Sequence, residues 1–317
     1  MRIIFLGTPE FAVDSLRILV ENGYNVVVVI TACDKPAGRG QKLTTSAVKD
    51  YAVSKGLNVL QPVKMNDPQF LEEVKKLNAD LQIVVAFRMM PEALWSMPPL
   101  GTFNLHASLL PQYRGAAPIN RAIMNGEKVT GLTTFFLKHE IDTGNIIFRK
   151  EIPIGENENA GELHDRMKVV GADLVLQTVK AIENDQVVEQ SQQSFLDAGE
   201  KIIEAPKIYK EDGRLDFSKS IQVLHNQIRG LSPFPGAYFD MKMPEEQVIS
   251  IKILKASPEP AGTVLTHELI TDGKKMLKIS ASDGFINVLE IQVPGKKRMK
   301  THELLSGFSF PEDAVIL

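Results

Sequence analysis

The chain has 317 residues, of which 44% are hydrophobic and 24% charged, and its formal net charge at pH 7 is −3. This balance is typical of a globular protein of about two domains, and it excludes collagen-like and disordered chains and any global positive field. The single cysteine, Cys33, excludes a disulfide framework and a cysteine-ligated metal cluster. The N-terminal segment becomes polar too early for a signal peptide, and no apolar run reaches the length of a membrane span, so we expect a cytoplasmic protein.

The first half of the chain alternates apolar strands with helices. The patterns predict strands over residues 2–6, 25–30, 81–86 and 102–105, and helices over residues 11–20, 46–55 and 67–77. Strands separated by helices indicate a parallel sheet that is covered on both faces. We therefore predict a Rossmann-like, doubly wound α/β sheet in a catalytic domain of residues 1–189, with the ligand site beyond the carboxyl ends of the strands.

The second half of the chain has a different pattern. A long helix is predicted over residues 161–182, and the polar, aperiodic segment after it predicts a linker over residues 190–206. Beyond the linker, alternating stretches are separated by turn residues that include Asp272-Gly273 and Asp283-Gly284. Such alternation is typical of antiparallel strands, so we predict a smaller, OB-like β-barrel domain over residues 207–317.

The turn after the first strand tests for a nucleotide cofactor. It reads Gly7-Thr8-Pro9-Glu10 and has one glycine, where the dinucleotide fingerprint needs three. The glycine-rich segment at residues 38–42 lacks the spacing of a phosphate-binding loop. We therefore expect neither NAD nor a phosphate-loop nucleotide.

Polar side chains gather where the fourth strand ends. Asn104 and His106 are two positions apart, so they point to the same face of the strand, and Ser108 follows them. Asp142 lies in a turn between two strand-like runs, residues 132–137 and 145–149. If this turn borders the strand end, an amide that can donate to an oxyanion, an imidazole that can move a proton and a carboxylate surround one cavity. The set suits attack by an amine on a carbonyl carbon.

Other interpretations of these residues stay open. A histidine at a strand end is often structural, and Ser108 could simply cap the following turn. His106, His139 and Asp142 are zinc-ligand types, but their spacing matches no common metal signature. A Ser-His-Asp hydrolase would need a G-x-S-x-G elbow, which the sequence lacks.

Segments 104–111 (NLHASLLP) and 114–119 (RGAAPI) resemble those of the folate-dependent formyltransferases, and Asp142-Thr143-Gly144 follows at the expected distance. The resemblance extends over essentially the whole chain and points to the tRNA-directed members through further segments: FLGTPEFA at 5–12, DKPAGRG at 34–40, RGLSPFPGA at 229–237 and PGKK at 294–297. It implies formyl transfer from N10 of 10-formyltetrahydrofolate, a co-substrate, to the α-amino group of methionine on initiator tRNA, which begins translation. No metal or NAD is implied.

The resemblance also assigns roles by motif position. Asn104 would hold the formyl oxygen, His106 would assist proton transfer and stabilise the oxyanion, and Asp142 would tune His106 and hold a relaying water. Folate contacts are implied in the turn after the strand and in the loop that borders the pterin pocket, namely Ser108, Leu109, Leu110, Pro111, Phe87 and Met89. That loop reads AFRMMP at residues 86–91, where the commoner family pattern is alanine-tyrosine-glycine with an extra residue before the proline. Plain packing is the alternative role for Met89.

Two basic clusters could contact a polyanion. The first lies in a glycine-containing loop and the second in the predicted barrel; their members are Lys35, Arg39 and Lys42, and Lys296, Lys297 and Arg298. A charge run is usually a solvated face. The resemblance instead implies that the first cluster grips the acceptor end of tRNA and that the second follows the acceptor arm, with a monomer sufficing for the chemistry.

Two alternative enzymes share the Asn-His-Asp set, namely a sugar-nucleotide formyltransferase and a formyltetrahydrofolate hydrolase. An alternative of another class is a non-catalytic folate- or RNA-binding protein, against which the intact Asn-His-Asp set argues. The loop at residues 34–42 and the second domain favour tRNA over the other enzymes.

Overall fold

The structure is a computed structural model that describes residues 1–37, 42–244, 247–262, 266–311 and 313–317, without the side chains of Ala37 and Lys42. The chain forms two compact units. The first unit comprises residues 1–115, 130–152 and 164–204, and the second comprises residues 116–129, 153–163 and 205–317. Two short segments of the first half thus fold with the second unit, and the domain limits 1–189 and 207–317 stay a prediction.

Nine strands lie in the first half of the chain: β1 (Arg2–Gly7), β2 (Asn25–Ile30), β3 (Lys35–Ala37), β4 (Lys42–Thr44), β5 (Val59–Leu60), β6 (Leu81–Val85), β7 (Thr102–His106), β8 (Val129–Phe136) and β9 (Ile146–Pro153), as far as the described residues go. Seven of them form one sheet in the order β5-β2-β1-β6-β7-β8-β9, and β3 and β4 form an antiparallel ribbon. The first five strands of the sheet are parallel, which confirms the predicted doubly wound fold. β8 runs antiparallel to β7, a pairing that needs no crossover helix.

The α-helices of the described chain are α1 (Val13–Glu21), α2 (Ala47–Ser54), α3 (Pro68–Lys76), α4 (Glu92–Trp95), α5 (Pro118–Met124), α6 (Ala160–Glu183), α7 (Ile221–Gly230) and α8 (Thr301–Leu305). The Ser46 side chain accepts from the Lys49 N–H to begin α2, and the Asp67 side chain accepts from the Gln69 N–H to begin α3. None of the helices in the described ranges is long and apolar enough to cross a membrane.

The centre of the first sheet positions the site. β1 and β6 are apolar almost throughout and buried, as expected for parallel strands covered on both faces. Gly7 pairs with Val85, and Val84 pairs with Asn104. The carboxyl ends of β1, β6 and β7 therefore meet at one edge of the sheet.

The second unit contains a nearly closed antiparallel barrel, as predicted. Its strands are β10 (Ala237–Lys242), β11 (Val248–Pro260), β12 (Leu269–Thr271), β13 (Leu277–Ala281), β14 (Gly284–Gln292), β15 (Met299–Lys300) and β16 (Val315–Ile316). They pair in the order β12-β13-β14-β11-β10-β16, with β15 on β14. Phe217 and Phe239 are fully buried in its core and meet edge to face, with ring centroids 5.8 Å apart.

Candidate active site

Asn104 and His106 lie at the C-terminal end of β7, on the same face of the strand. His106 is 7% exposed, and Asn104 is half-buried. The Asn104 amide makes no hydrogen bond to any residue in the described parts of the chain. A half-buried amide with unused donors can bind a group that comes from outside.

The His106 ring is oriented by one hydrogen bond. Its Nε2 lies 2.8 Å from the carbonyl oxygen of Tyr113, which can only accept, so the proton of the neutral ring is on Nε2. Nδ1 lies 3.8 Å from Oδ2 of Asp142. That distance is too long for a direct hydrogen bond, but it is short enough for the carboxylate to stabilise a positive charge on the ring. Nδ1 is therefore the ring atom that can exchange a proton.

Asp142 reaches His106 from the turn between β8 and β9. Its backbone is left-handed, with φ of 54°, and its Oδ2 accepts a hydrogen bond from the Gly115 N–H at 3.0 Å. The turn closes tightly at Gly144, where an added Cβ would lie 1.6 Å from the carbonyl oxygen of Phe136. Glycine is therefore required there, and the sequence-predicted carboxylate and imidazole lie side by side.

The segment predicted as a linker packs along this site. We refer to residues 190–204 as the strap. At one end, Gln190 exchanges two backbone hydrogen bonds with Ile146, which begins β9, at 2.8 and 2.9 Å. At the other end, the Ile203 carbonyl accepts from the Tyr113 N–H at 2.6 Å, and the Ile203 N–H donates to Gln112. The strap thus touches both segments that hold His106 and Asp142.

Gln192 is the residue of the strap that the sequence reasoning missed. It is 5% exposed and hydrogen-bonded to the Asp142 turn and to Arg114. Within a polar, aperiodic segment a glutamine gives no signal of its own. The aromatic Phe195 was the available signal, since it packs on Leu110, Phe135 and Ile146 and lies under Arg149.

The turn at residues 108–111 was predicted to contact folate. The Ser108 hydroxyl is buried and donates to the Gln112 carbonyl at 2.6 Å, so it closes the turn. Leu110 and Pro111 are buried, and Leu109 is the residue of the turn that keeps partial exposure. The folate role of this turn stays a prediction, in which Leu109 would be the contact.

The loop after β6 was predicted to border the pterin pocket. Phe87 packs on the apolar core that includes Ile4 and Val84, and Met89 is 73% exposed. Arg88 donates to the carbonyl oxygens of Pro62 and Val63, which ties this loop to its neighbour. Packing against this core explains the partial burial of Phe87. In the described chain Met89 packs on no such core and stays exposed.

Those predicted tRNA-contacting residues that the structure describes lie on the surface. Lys35 is exposed on the β3–β4 ribbon; Arg39 lies outside the described residues, as does the side chain of Lys42. Lys296, Lys297 and Arg298 are exposed before β15. Arg298 forms an ion pair with Glu290, whereas Lys296 and Lys297 form none with the residues that the structure describes.

The structure separates His139 from the other two residues of the zinc hypothesis. Its Nε2 pairs with Oε1 of Glu92 at 3.1 Å, and its side chain is 74% exposed. Across the described residues no group of three histidine, cysteine, aspartate or glutamate side chains is arranged to hold a metal ion.

Comparisons with known proteins match both units. A family model described as formyl transferase matches residues 1–201, and one described as the formyl transferase C-terminal domain matches residues 207–309. A Bacteroides thetaiotaomicron protein named methionyl-tRNA formyltransferase is 52% identical over 314 residues, covering 97% of this chain and 96% of the relative. A Flavobacterium johnsoniae protein of the same name is 53% identical over 317 residues, covering 100% and 99%.

A solved structure is similar at the level of the fold. It is the N-formyltransferase of Helicobacter canadensis, in complex with folinic acid and dTDP-3-aminofucose. It matches with a TM-score of 0.65 at 23% identity, and the match covers 90% of this chain and 98% of that chain.

Proposed function

The chain belongs to the formyl transferase family, and on that premise we propose that it moves the formyl group of 10-formyltetrahydrofolate to the α-amino group of methionine esterified to initiator tRNA. The product is N-formylmethionyl-tRNA, which begins translation. Two relatives at 52% and 53% identity carry the name of this activity along nearly their whole length. A step of bacterial translation takes place in the cytoplasm, and the proposal keeps the localisation expected from the sequence.

The Asn104 amide carries the chemical part of the proposal. It is half-buried at the carboxyl end of β7 and unpaired among the described residues. When an amine attacks the formyl carbon, negative charge develops on the formyl oxygen. A preorganised N–H donor at that position stabilises the tetrahedral intermediate more than the substrate.

His106 and Asp142 would move the protons. The attacking amine loses a proton as the new C–N bond forms, and N10 of the folate gains one as the old C–N bond breaks. Nδ1 of His106 is the available ring atom, because the Tyr113 carbonyl holds the Nε2 proton. Asp142 would stabilise the imidazolium and hold a water that relays the proton. The reaction exchanges one C–N bond for another without a change of oxidation state, so it calls for no NAD.

The folate and the tRNA would approach from the same edge of the sheet. The proposal keeps folate contacts at Ser108–Pro111, Phe87 and Met89, of which Met89 is exposed and Leu109 is partly exposed. It keeps tRNA contacts at Lys35, Arg39 and Lys42, and at Lys296, Lys297 and Arg298. One copy of the chain contains the whole Asn-His-Asp set, so the proposal keeps the monomer.

The test is formyl transfer from 10-formyltetrahydrofolate to methionyl initiator tRNA, with elongator methionyl-tRNA as the acceptor control. We expect transfer to the initiator by the wild type and loss of about 100- to 1,000-fold in Asn104→Asp, which keeps the shape of the side chain and removes its N–H donors. Folate deformylation without a tRNA product would make the protein a hydrolase. Formylation of a sugar nucleotide in place of tRNA would favour the sugar-directed enzyme.

A separate variant pair tests the second basic cluster. Replacing Lys296 and Lys297 with alanine removes two exposed charges, so tRNA binding should weaken and the slope of log Kd against log salt should fall by about two. Lys274 and Lys275, two adjacent exposed lysines of the same unit, provide the matched control. Equal losses in both double variants would mean that the barrel attracts tRNA only through its total charge.

A further inference from the structure

We propose that Gln192 is a positioning residue for formyl transfer, which holds the Asp142 turn against His106 from the strap. The inference rests on the proposed function and names a further residue of that same site. It depends on three observations: the pairing of the Gln192 amide, the ring of contacts that this pairing closes, and the distance that the ring sets.

The pairing fixes the orientation of the Gln192 amide. Its Nε2 donates to the carbonyl oxygens of Asp142, at 2.7 Å, and of Gly144, at 2.9 Å. Its Oε1 accepts from Nε and Nη2 of Arg114 at 3.1 and 2.6 Å. Carbonyl oxygens only accept and guanidinium groups only donate, so the opposite orientation of the amide would break every one of these bonds.

These bonds close a ring between the two halves of the site. Arg114 is held by Gln192, and its neighbour Gly115 donates to the Asp142 carboxylate at 3.0 Å. Tyr113, one residue earlier, holds the His106 ring through its carbonyl oxygen. The segment at residues 113–115 therefore positions His106, and Gln192 fixes the Asp142 turn to that same segment.

The ring sets the separation of 3.8 Å between Nδ1 of His106 and Oδ2 of Asp142. Gln192 is 5% exposed, and burial strengthens hydrogen bonds to a guanidinium and to carbonyl dipoles. Its hydrogen bonds go to Arg114 and to backbone carbonyl oxygens, not to the His106 ring or the Asp142 carboxylate, so it acts through the backbone of the turn. A displacement of the carboxylate by about 1 Å can lower a rate by about 100-fold.

Two substitutions separate positioning from packing. Gln192→Glu keeps the size of the side chain and its attraction to Arg114, but it turns a carboxylate oxygen toward two carbonyl oxygens. Gln192→Met keeps the volume and removes all of the hydrogen bonds. The matched control is Gln193→Glu, which adds the same charge at the adjacent, exposed position. We expect both Gln192 variants to lose kcat by up to about 100-fold with KM for folate and tRNA nearly unchanged, and the control to match the wild type.

A double-mutant cycle with Asp142→Asn tests whether Gln192 acts through Asp142. Because the carboxylate is already lost in Asp142→Asn, adding Gln192→Glu should lower kcat by less than about 2-fold, measured in single turnovers. Losses that multiply would overturn the proposal. Full activity of Gln192→Glu would do so too, since it would show that Gln192 only anchors Arg114. Failure of both Gln192 variants to fold would assign Gln192 to stability instead.

A readout without turnover keeps this test separate from the proposed function. The ¹⁵N chemical shifts of the two His106 ring nitrogens report its proton position and hydrogen bonds. We expect them to shift in Gln192→Glu and Gln192→Met and to stay in place in Gln193→Glu. If the wild type transferred no formyl group, the proposed function would be wrong. The His106 chemical shifts would still show whether Gln192 positions the Asp142 turn. Unchanged His106 shifts in both Gln192 variants would overturn that role.

Discussion

Each of the two units buries a polar cluster, and the clusters differ in how many of their polar atoms are paired. In the second unit Arg229 is 4% exposed; its Nε donates to Asn226 at 3.0 Å, and its Nη1 donates to the carbonyl oxygens of Gly155 and Glu158 at 3.3 and 3.0 Å. In the first unit the Asn104 amide is unpaired among the described residues, and Nδ1 of His106 faces a carboxylate at 3.8 Å.

The difference separates stability from chemistry. Burying a polar group costs free energy unless the group is hydrogen-bonded. A cluster whose polar atoms are hydrogen-bonded, such as that of Arg229, can therefore stabilise the fold. A cluster with unused donors stabilises the fold less and can bind a reacting group instead. Substitutions in the first cluster should therefore change turnover, and substitutions in the second should change the free energy of unfolding.

The largest effect is expected from His106→Ala. Loss of the group that moves the proton should lower kcat by about 10²- to 10⁴-fold. The free energy of unfolding should fall by only about 1 kcal/mol, because one hydrogen bond to a carbonyl oxygen is lost. Formyl transfer and thermal unfolding measured on the same preparations check both halves of the prediction.

The control for this prediction is His139→Ala. His139 is 74% exposed and pairs with Glu92, so its loss should leave turnover and unfolding close to those of the wild type. If the two histidine variants lost turnover equally, the assignment of chemistry to the buried cluster would be wrong.

The next effect is expected from Arg229→Met. The apolar side chain fills much of the volume but removes the Nη1 donor that the Gly155 and Glu158 carbonyl oxygens share. We expect a loss of about 2–4 kcal/mol in the free energy of unfolding, with kcat per folded molecule unchanged. Urea unfolding measures the free energy of unfolding. Titration of the active sites gives the concentration of folded enzyme, by which the rate is divided to give kcat.

Arg214→Met provides the matched comparison. Arg214 belongs to the same unit, its side chain is 52% exposed, and its Nε lies 3.7 Å from an Asp240 oxygen. An exposed ion pair contributes about 0–1 kcal/mol, so this variant should be nearly as stable as the wild type. A similar loss in both arginine variants would remove burial as the cause.

The sequence predicts those parts of the fold that depend on local periodicity. β2 occupies the residues 25–30 expected from its apolar run, and α6 (Ala160–Glu183) extends the expected helix at residues 161–182 by one residue at each end. Asn104 and His106 share a face because side chains alternate along any strand, whatever its neighbours are. That β8 runs antiparallel to its neighbour depends on its pairing with β7, which no local pattern contains.

The remaining parts depend on contacts between distant segments. Gln192 lies 50 residues from Asp142 and 78 from Arg114 in the chain, and its role exists only once those two meet. The segment at residues 116–129 contains α5 and folds with the second unit, but its apolar side chains do not indicate which unit they pack in. From the sequence we could only assume that Asp142 borders the end of the strand, because the sequence of a turn does not indicate its distance from another strand.

His225 should make the stability of the second cluster depend on pH. Burial lowers the pKa of His225, the nearby positive charge of Arg229 lowers it further, and Glu156 opposes both. The unfolded chain therefore binds a proton more readily, and the stabilising effect of the neutral ring is complete above the unfolded pKa of about 6.5. Stability should fall as the pH drops below that value, by at most about 1.4 kcal/mol per pH unit for one proton.

The measurement is urea unfolding of the wild type and His225→Gln between pH 7.5 and 5. The variant should lose part of the pH dependence, because its buried side chain does not titrate. Equal slopes in the two proteins would show that another group causes the dependence.

The smallest effect is expected at Asp272, a paired polar group on the surface of the second unit. Its Oδ1 accepts from the N–H groups of Lys274, Lys275 and Met276, at 2.8, 2.7 and 2.8 Å, in the turn that the Asp-Gly pair predicts. These bonds lower its pKa to about 2. The carboxylate is favoured in the folded state, so its stabilisation is present above the unfolded pKa of about 3.9 and is lost as the pH falls toward 2.

Asp272→Asn should therefore lower Tm slightly at pH 7 and by less near pH 2, where the wild-type carboxyl group is protonated in the unfolded chain and about half protonated in the folded one. Asn can still accept the same hydrogen bonds, so the difference at pH 7 isolates the charge. Asp313→Asn, at an exposed aspartate of the same unit, is the control for the loss of one carboxylate charge. A difference between Asp272→Asn and the wild type that stayed undiminished from pH 7 to pH 2 would mean that the shape of the turn, and not the ionised carboxylate, provides the stabilisation. Pairing would then matter on this surface for geometry alone, whereas in the buried Arg229 cluster it compensates for the loss of water.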